Sequence, residues 1–264
     1  MKIVNLLIRF QFKVKYSKVY KNLYILNLRL MNTKLENLYR EEFKKLSPVL
    51  KDYNLKSKRK KKATNPFLLS VDENQINSNN RIMIFGQETN SWCKECEHKS
   101  QFSGNISKSL EVYKKFYLKG GFKKYRGAFW NEFKRIKKEV QKKKNNSTFI
   151  WNNVNKIGRI GKGNITEINK IQFEHFQVIK KEIDIIKPNI IVFLTGPNYN
   201  NFIRKNIGEF TETKIIDNLN KISMDLNYTD IKMFKTFHPQ ALYRKKINKI
   251  VIGKLIEEIV KSCK

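Results

Sequence analysis

Acidic residues are scarce in this chain. Its 264 residues carry 23 Asp and Glu against 55 Lys and Arg, a formal net charge of +32 at neutral pH. So large an excess points to a polyanionic partner, either nucleic acid or an anionic membrane surface. A drift toward Lys, Asn and Ile, such as an AT-rich genome produces, explains many lysines but not the missing acids. Nucleic acid is therefore the expected partner. Cysteine is also sparse, and three cysteines rule out a disulfide framework. Cys93 and Cys96 have the spacing of a metal knuckle, with His98 close by. A closed zinc site needs four ligands, however, and the only further cysteine is the distant Cys263. Free thiols and no bound metal are expected, in a cytoplasmic protein. No apolar run approaches the roughly 20 residues of a membrane span. The apolar patch at 3–8 is too short, and too soon followed by charge, for a secretory signal. Neither a Gly-rich phosphate loop closing on Lys-Ser/Thr nor a Gly-x-Ser-x-Gly elbow occurs, which argues against the nucleotide-binding and hydrolase classes built on them. No internal repeat is visible.

What the chain does contain is a series of short apolar runs separated by helical periods. Residues 81–86 end at Gly86 and lead straight into Gln87, Glu88, Thr89, Asn90, Ser91 and Trp92. A run of large apolar residues without internal Pro or Gly reads as a buried strand. Three more such runs lie at 148–152, 189–195 and 231–237. Between them, Ile106, Leu110, Tyr113 and Tyr117 recur at helical spacing behind Asn105, a suitable cap. Phe129, Phe133, Ile136 and Val140 form a second stripe, with Trp130 also assigned to the core. A long helix is expected from Thr166, its apolar stripe including His175 as a packed histidine, and it ends before Pro188. A last helix carries Ile247, Val251, Leu255 and Ile259. Strands alternating with amphipathic helices predict an α/β fold, a three-layer α/β/α sandwich around a four-stranded parallel sheet.

Three regions are expected. Residues 1–30 carry basic residues, no acids and no steady period. They read as a dispensable basic extension, with Met31 favoured as the true start. Residues 31–79 read as a helix and a basic linker, in which Lys58, Arg59 and Lys60 are candidates for phosphate contact. Residues 80–264 form the main domain. Within it Gly158, Gly161 and Gly163, with Arg159 and Lys162, make a basic loop suited to close phosphate approach.

In a parallel sheet the side chains that follow each strand converge on one edge, where ligands bind. Gln87, Glu88, Asn152, Asn153, Asn198 and His238 all fall there. Gly86-Gln87-Glu88 resembles the opening Gly-Gln-Asp-Pro-Tyr motif of uracil-DNA glycosylases. His238-Pro239-Gln240-Ala241-Leu242 resembles their closing His-Pro-Ser-Pro-Leu motif, and Phe149-Ile150-Trp151-Asn152 is similar to their middle strand. The resemblance covers residues 80–262, with three short motifs in the family's order. It implies hydrolysis of the N-glycosidic bond of a flipped uracil or other damaged base. Glu88 takes the place of the catalytic carboxylate and His238 that of the donor to the leaving base. Gln87 and Asn152 bind the base, while Phe102, or Trp92 in second place, supplies the aromatic platform. Leu242 is the wedge, and Arg244 joins the DNA-binding residues. DNA is the implied partner, of a monomer without cofactors. The chain departs from the family at Glu88 (Asp), at Thr89-Asn90 (Pro-Tyr) and at Gln240 (Ser). The alternative is a catalytically inactive relative that binds nucleic acid or a free base.

Overall fold

The computed structural model describes residues 2–72, 75, 76, 78–89, 91–93, 102–161, 163, 165–224, 228 and 230–264, with side chains from residue 29 onward. Asn90, Cys96, His98 and Lys162, singled out above, lie outside the described residues. Helix α1 spans Lys2–Lys56 without a break at Met31. A 3₁₀ turn, Arg59–Lys61, follows it. Strand β1 is Asn80–Gly86 and helix α2 is Ile106–Tyr113. The Asn105 side chain caps α2 by accepting from the Lys108 N–H, as its sequence position predicts. Helix α3 is Ala128–Lys143 and strand β2 is Ser147–Asn153. Helices α4, Thr166–His175, and α5, Ile179–Ile186, replace the single long helix expected there. Strand β3 is Ile190–Leu194, helix α6 is Asn200–Asn206, and strands β4 and β5 are Phe210–Ile216 and Leu219–Met224. Strand β6, Lys232–Thr236, leads to α7, Pro239–Arg244, and α8, Asn248–Ser262.

The sheet corrects the expected architecture. Among the described residues it has six strands in the order β2-β1-β3-β6-β5-β4, and it is mixed. The four expected segments do pair in parallel, with Gly86 beside Asn153 at one end of the register. The stretch between β3 and β6, which shows no clear pattern in the sequence, adds the antiparallel hairpin β4–β5. Most of β4 is exposed, so it lacks the apolar run that marks a strand in sequence. Its turn is Asp217-Asn218, and Asn218 takes the left-handed conformation (φ 66°) that Asn tolerates better than most residues. The Thr236 hydroxyl donates to the Asn218 carbonyl at 2.6 Å, which fastens this turn to the end of β6.

The helices pack in two groups, α1 with α4 and α5, and α3 with α7 and α8. The core runs beyond residues 80–264. Leu35, Tyr39, Leu46 and Leu50 of α1, and Phe67, Leu68 and Leu69 after it, belong to one apolar cluster with the strands. A buried polar network joins these layers. Lys156 Nζ lies 2.8 Å from Glu182 of α5, both fully buried. The Tyr39 hydroxyl donates to Glu182 at 2.7 Å and accepts from the Leu69 N–H at 3.0 Å. At the outer edge of β2, Tyr113 donates to the Trp151 carbonyl, and Tyr117 and Gln75 donate to that of Phe149. This edge is thereby covered rather than left open to another chain. No described helix is long and apolar enough to cross a membrane.

Candidate functional site

The carboxyl ends of β1, β3 and β6 adjoin in the sheet, and β1 also borders β2. Gln87 Nε2 donates to the Thr195 carbonyl at 2.7 Å, which ties the exit of β1 to that of β3. The exits of β1 and β2 are joined by Val154 N–H to the Gly86 carbonyl and Asn155 N–H to the Gln87 carbonyl. Two glycines are required by this closeness. A Cβ on Gly86 would lie 2.5 Å from Asn153 Oδ1 and 3.1 Å from the Phe129 ring. A Cβ on Gly158 would lie 2.2 Å from the Thr89 carbonyl oxygen. Glycine at these positions lets the loops touch.

Glu88 sits at this junction, half-buried. One of its carboxylate oxygens, Oε2, is buried without a hydrogen-bond partner among the described residues. Burial pushes its pKa up from the ordinary carboxylate value, while the Asn155 amide, the Gly163 backbone and the Arg159 guanidinium pull it back down. Glu88, Thr89, Ser91, Trp92 and Cys93 line a cavity of about 540 Å³ whose other walls include Phe116, Tyr125, Trp130 and Trp151, with Lys115 and Lys124 at its rim. Trp92 meets Trp151 and Phe116 edge-on, at centroid distances of 5.6 and 5.7 Å. The indole N–H groups of Trp92 and Trp151 and the hydroxyl of Thr89 are buried without partners among the described residues. Buried polar groups are nearly always paired, so four that lack a partner among the described residues around one cavity set this wall apart from ordinary core.

His238 ends β6 and caps α7, its Nδ1 accepting from the Gln240 N–H at 3.2 Å. Burial lowers its pKa, which favours the neutral ring, and with Nδ1 accepting, the neutral ring carries its proton on Nε2. Nε2 is thus a hydrogen-bond donor. The His238 ring lies parallel to that of Phe129, with centroids 6.3 Å apart. Phe129 also covers Gly86, next to Asn153, whose amide Nδ2 is buried without a partner among the described residues. His238 is not among the residues that line the Glu88 cavity. The two parts are joined through α3, where Phe129 faces His238 and Trp130 faces the cavity.

Several expected site residues lie elsewhere. Asn152 is fully buried in the Lys156–Glu182 network: its Oδ1 accepts from Lys156 at 2.7 Å and its Nδ2 donates to Glu182 at 3.0 Å. The reason is the two-residue period of a strand, which sends Trp151 and Asn153 to one face and Asn152 to the other. Phe102 is core, packed on Phe43 at 5.8 Å, and is not among the cavity residues. Trp92 does line the cavity. Leu242 is wholly buried, so it presents no wedge, whereas Arg244 is exposed. Cys93 is disulfide-bonded, which corrects the expectation of free thiols, and Cys263 is a free, buried thiol. Asn153 is one of the strand-end residues expected at this edge, whereas nothing in the sequence beyond strand and helix periods marks Phe129, Trp130 and Trp151 as site residues.

Lys58, Arg59 and Lys60 are exposed, and the chain beside them is stitched to the site. Arg159 Nη1 donates to the Lys60 carbonyl at 3.2 Å, and Ile160 N–H to that of Lys62 at 3.0 Å. On the other side, Ser91 N–H donates to the Arg159 carbonyl at 3.3 Å, and Gly161 N–H to Ser91 Oγ at 2.7 Å. The basic run, the Gly-rich loop and the loop after β1 therefore form one surface. Comparison of the chain with protein-family models and with curated proteins finds no match.

Proposed function

We propose that this protein hydrolyses the N-glycosidic bond of a base turned out of DNA, uracil or another damaged base. The observation that carries the reading is the Glu88 cavity. It brings the half-buried Glu88 carboxylate together with walls of tryptophan, tyrosine and phenylalanine and with the Lys115 and Lys124 cations. A flipped base is flat, so aromatic walls suit it. Bond cleavage leaves cationic character on the sugar and negative charge on the base. Glu88 would orient water and offset the first, and His238, in its neutral form with the proton on Nε2, would donate to the second.

Single-turnover excision on oligonucleotides containing uracil, hypoxanthine or mismatched thymine tests the reading. Wild type should cut at least one of them. Glu88→Gln should slow the chemical step while keeping DNA affinity, and His238→Ala should cost roughly a hundredfold or more. A second reading is a relative that binds DNA or a base without cleaving it. It is favoured by His238 lying outside the Glu88 cavity. DNA binding without excision of any of the three bases would select it.

A further inference from the structure

We propose that the DNA is taken as a single strand, laid across the first half of α3 with bases stacked on Tyr125 and Tyr243. The inference deepens the reading above and rests on it for the identity of the site. To extract a base from a duplex, a protein commonly inserts an apolar wedge that fills the gap in the stack. The wedge suggested by the closing motif, Leu242, is 0% exposed. Bringing it out would mean unpacking α7 from the core. What the same turn does present is Tyr243, 39% exposed and followed by the exposed Arg244, Lys245 and Lys246.

A second open ring lies on the cavity side. Tyr125 is 46% exposed and lines the cavity, with Lys124 Nζ 6.0 Å from its ring centroid. Both residues are tied to one helix. Lys134 of α3 donates to the Tyr125 carbonyl at 2.7 Å, and the Tyr243 hydroxyl lies beside Glu132 of α3. That acid is already engaged by Asn248 at 3.0 Å and Arg135 at 3.4 Å. The other large apolar side chains exposed among the described residues are Leu30 and Leu55 on α1 and Ile250 on α8. Exposed ring faces interleaved with cations are what an unpaired strand requires: charge follows its backbone and the rings stack on its bases. A duplex keeps its base faces inside its own stack and would gain only phosphate contacts here.

Fluorescence anisotropy with uracil-free oligo(dT) of about 16 nucleotides, a length that fills a site of this kind, and with the matching dA·dT duplex at the same salt, tests this. The single strand should bind roughly tenfold tighter or more. Tyr243→Ala and Tyr125→Ala should each weaken it by roughly tenfold, the loss of one base–aromatic stack, and leave duplex binding within about twofold. Tyr243→Phe, which keeps the ring, should bind like wild type. Equal or tighter duplex binding overturns the proposal, as do alanine variants that weaken both forms alike. A Tyr243→Phe variant as weak as Tyr243→Ala also overturns it, because the hydroxyl and not the ring face would then be at work. The uracil-free probe keeps this test apart from the chemistry. Single-strand preference without excision sinks the glycosylase reading alone, whereas excision equally fast from both forms sinks the single-strand inference alone.

Discussion

One step along β2 decides which asparagine serves the site and which serves the fold. Asn152 completes a buried ion pair, while beside Gly86 the amide Nδ2 of Asn153 has no partner among the described residues. Asn152→Ala should therefore cost about 2–4 kcal/mol, because it leaves both Lys156 and Glu182 short of a buried partner. Asn153→Ala should change stability by less than about 1 kcal/mol, since no bond of its Nδ2 is lost, yet it should weaken base handling. Thermal melts and single-turnover excision on the two variants check this, and the reverse pattern would return Asn152 to the site. Glu88 gives a pH prediction at the same scale. Burial raises its folded pKa, so the native state holds its proton more tightly than the unfolded chain does. That contribution is fully present below the ordinary carboxylate pKa and is lost as pH rises through the raised value. Glu88→Gln should thus melt higher than wild type at pH 7, with the gap closing toward pH 4. If ionised Glu88 is needed for excision, the rate should climb with pH through that same raised pKa, and the limb should vanish in Glu88→Gln. A melting gap that does not change with pH would mean that Glu88 is solvated rather than desolvated.

Elements that bury an apolar face declare themselves in the sequence. The four parallel strands, the Asn105 cap and the stripe of α8 were all legible because burial on one face imposes a period. The hairpin β4–β5 was not, because strand β4 is exposed and leaves no apolar run. The break between α4 and α5 was hidden as well, since Ile171, Ile179 and Ile183 continue a helical spacing across Phe176, which turns out of the helix into the core. Of the candidate site, the strand-end positions of Glu88 and His238 could be read directly. The aromatic walls could not, because a tryptophan lining a cavity and one filling a core share the same period. The role of α1 was also underread. Its second half holds Tyr39 against Glu182, so Lys156→Met should destabilise by about 3–5 kcal/mol by stranding a buried carboxylate. Lys156→Met with Glu182→Gln should recover part of that loss, because no buried charge is left. Failure of the double variant to recover would show that the hydrogen bonds, not the charges, dominate. Cutting the chain before Met31, by contrast, should shift Tm by no more than about 4 °C, roughly 1 kcal/mol in a chain of this size. Within the described side chains, packing of α1 begins at Met31 and Leu35.

At the scale of the whole molecule, a net charge of +32 attracts any polyanion, so tight DNA binding alone says little about a built surface. The discriminating quantity is how binding depends on salt, and on which lysines. Each phosphate neutralised on a single strand contributes about −0.7 to the slope of log affinity against log salt. Six contacts would give a slope of roughly −4, a loss of about 300-fold between 50 and 200 mM salt. If Lys58, Arg59 and Lys60 touch phosphates, changing all three to Gln should flatten the slope by roughly 2. Lys142, Lys143 and Lys144 provide the control, because they close α3 beside the amino end of β2, at the other end of the strands. The same three-charge change there should alter the slope by well under 1, since distant exposed charges are screened within about 10 Å. Equal flattening by the two triple variants would mean that DNA meets a diffuse cloud of charge. Flattening confined to the first triple would put the backbone on the surface formed by the basic run, the Arg159 loop and the chain leaving β1, within reach of the Glu88 cavity.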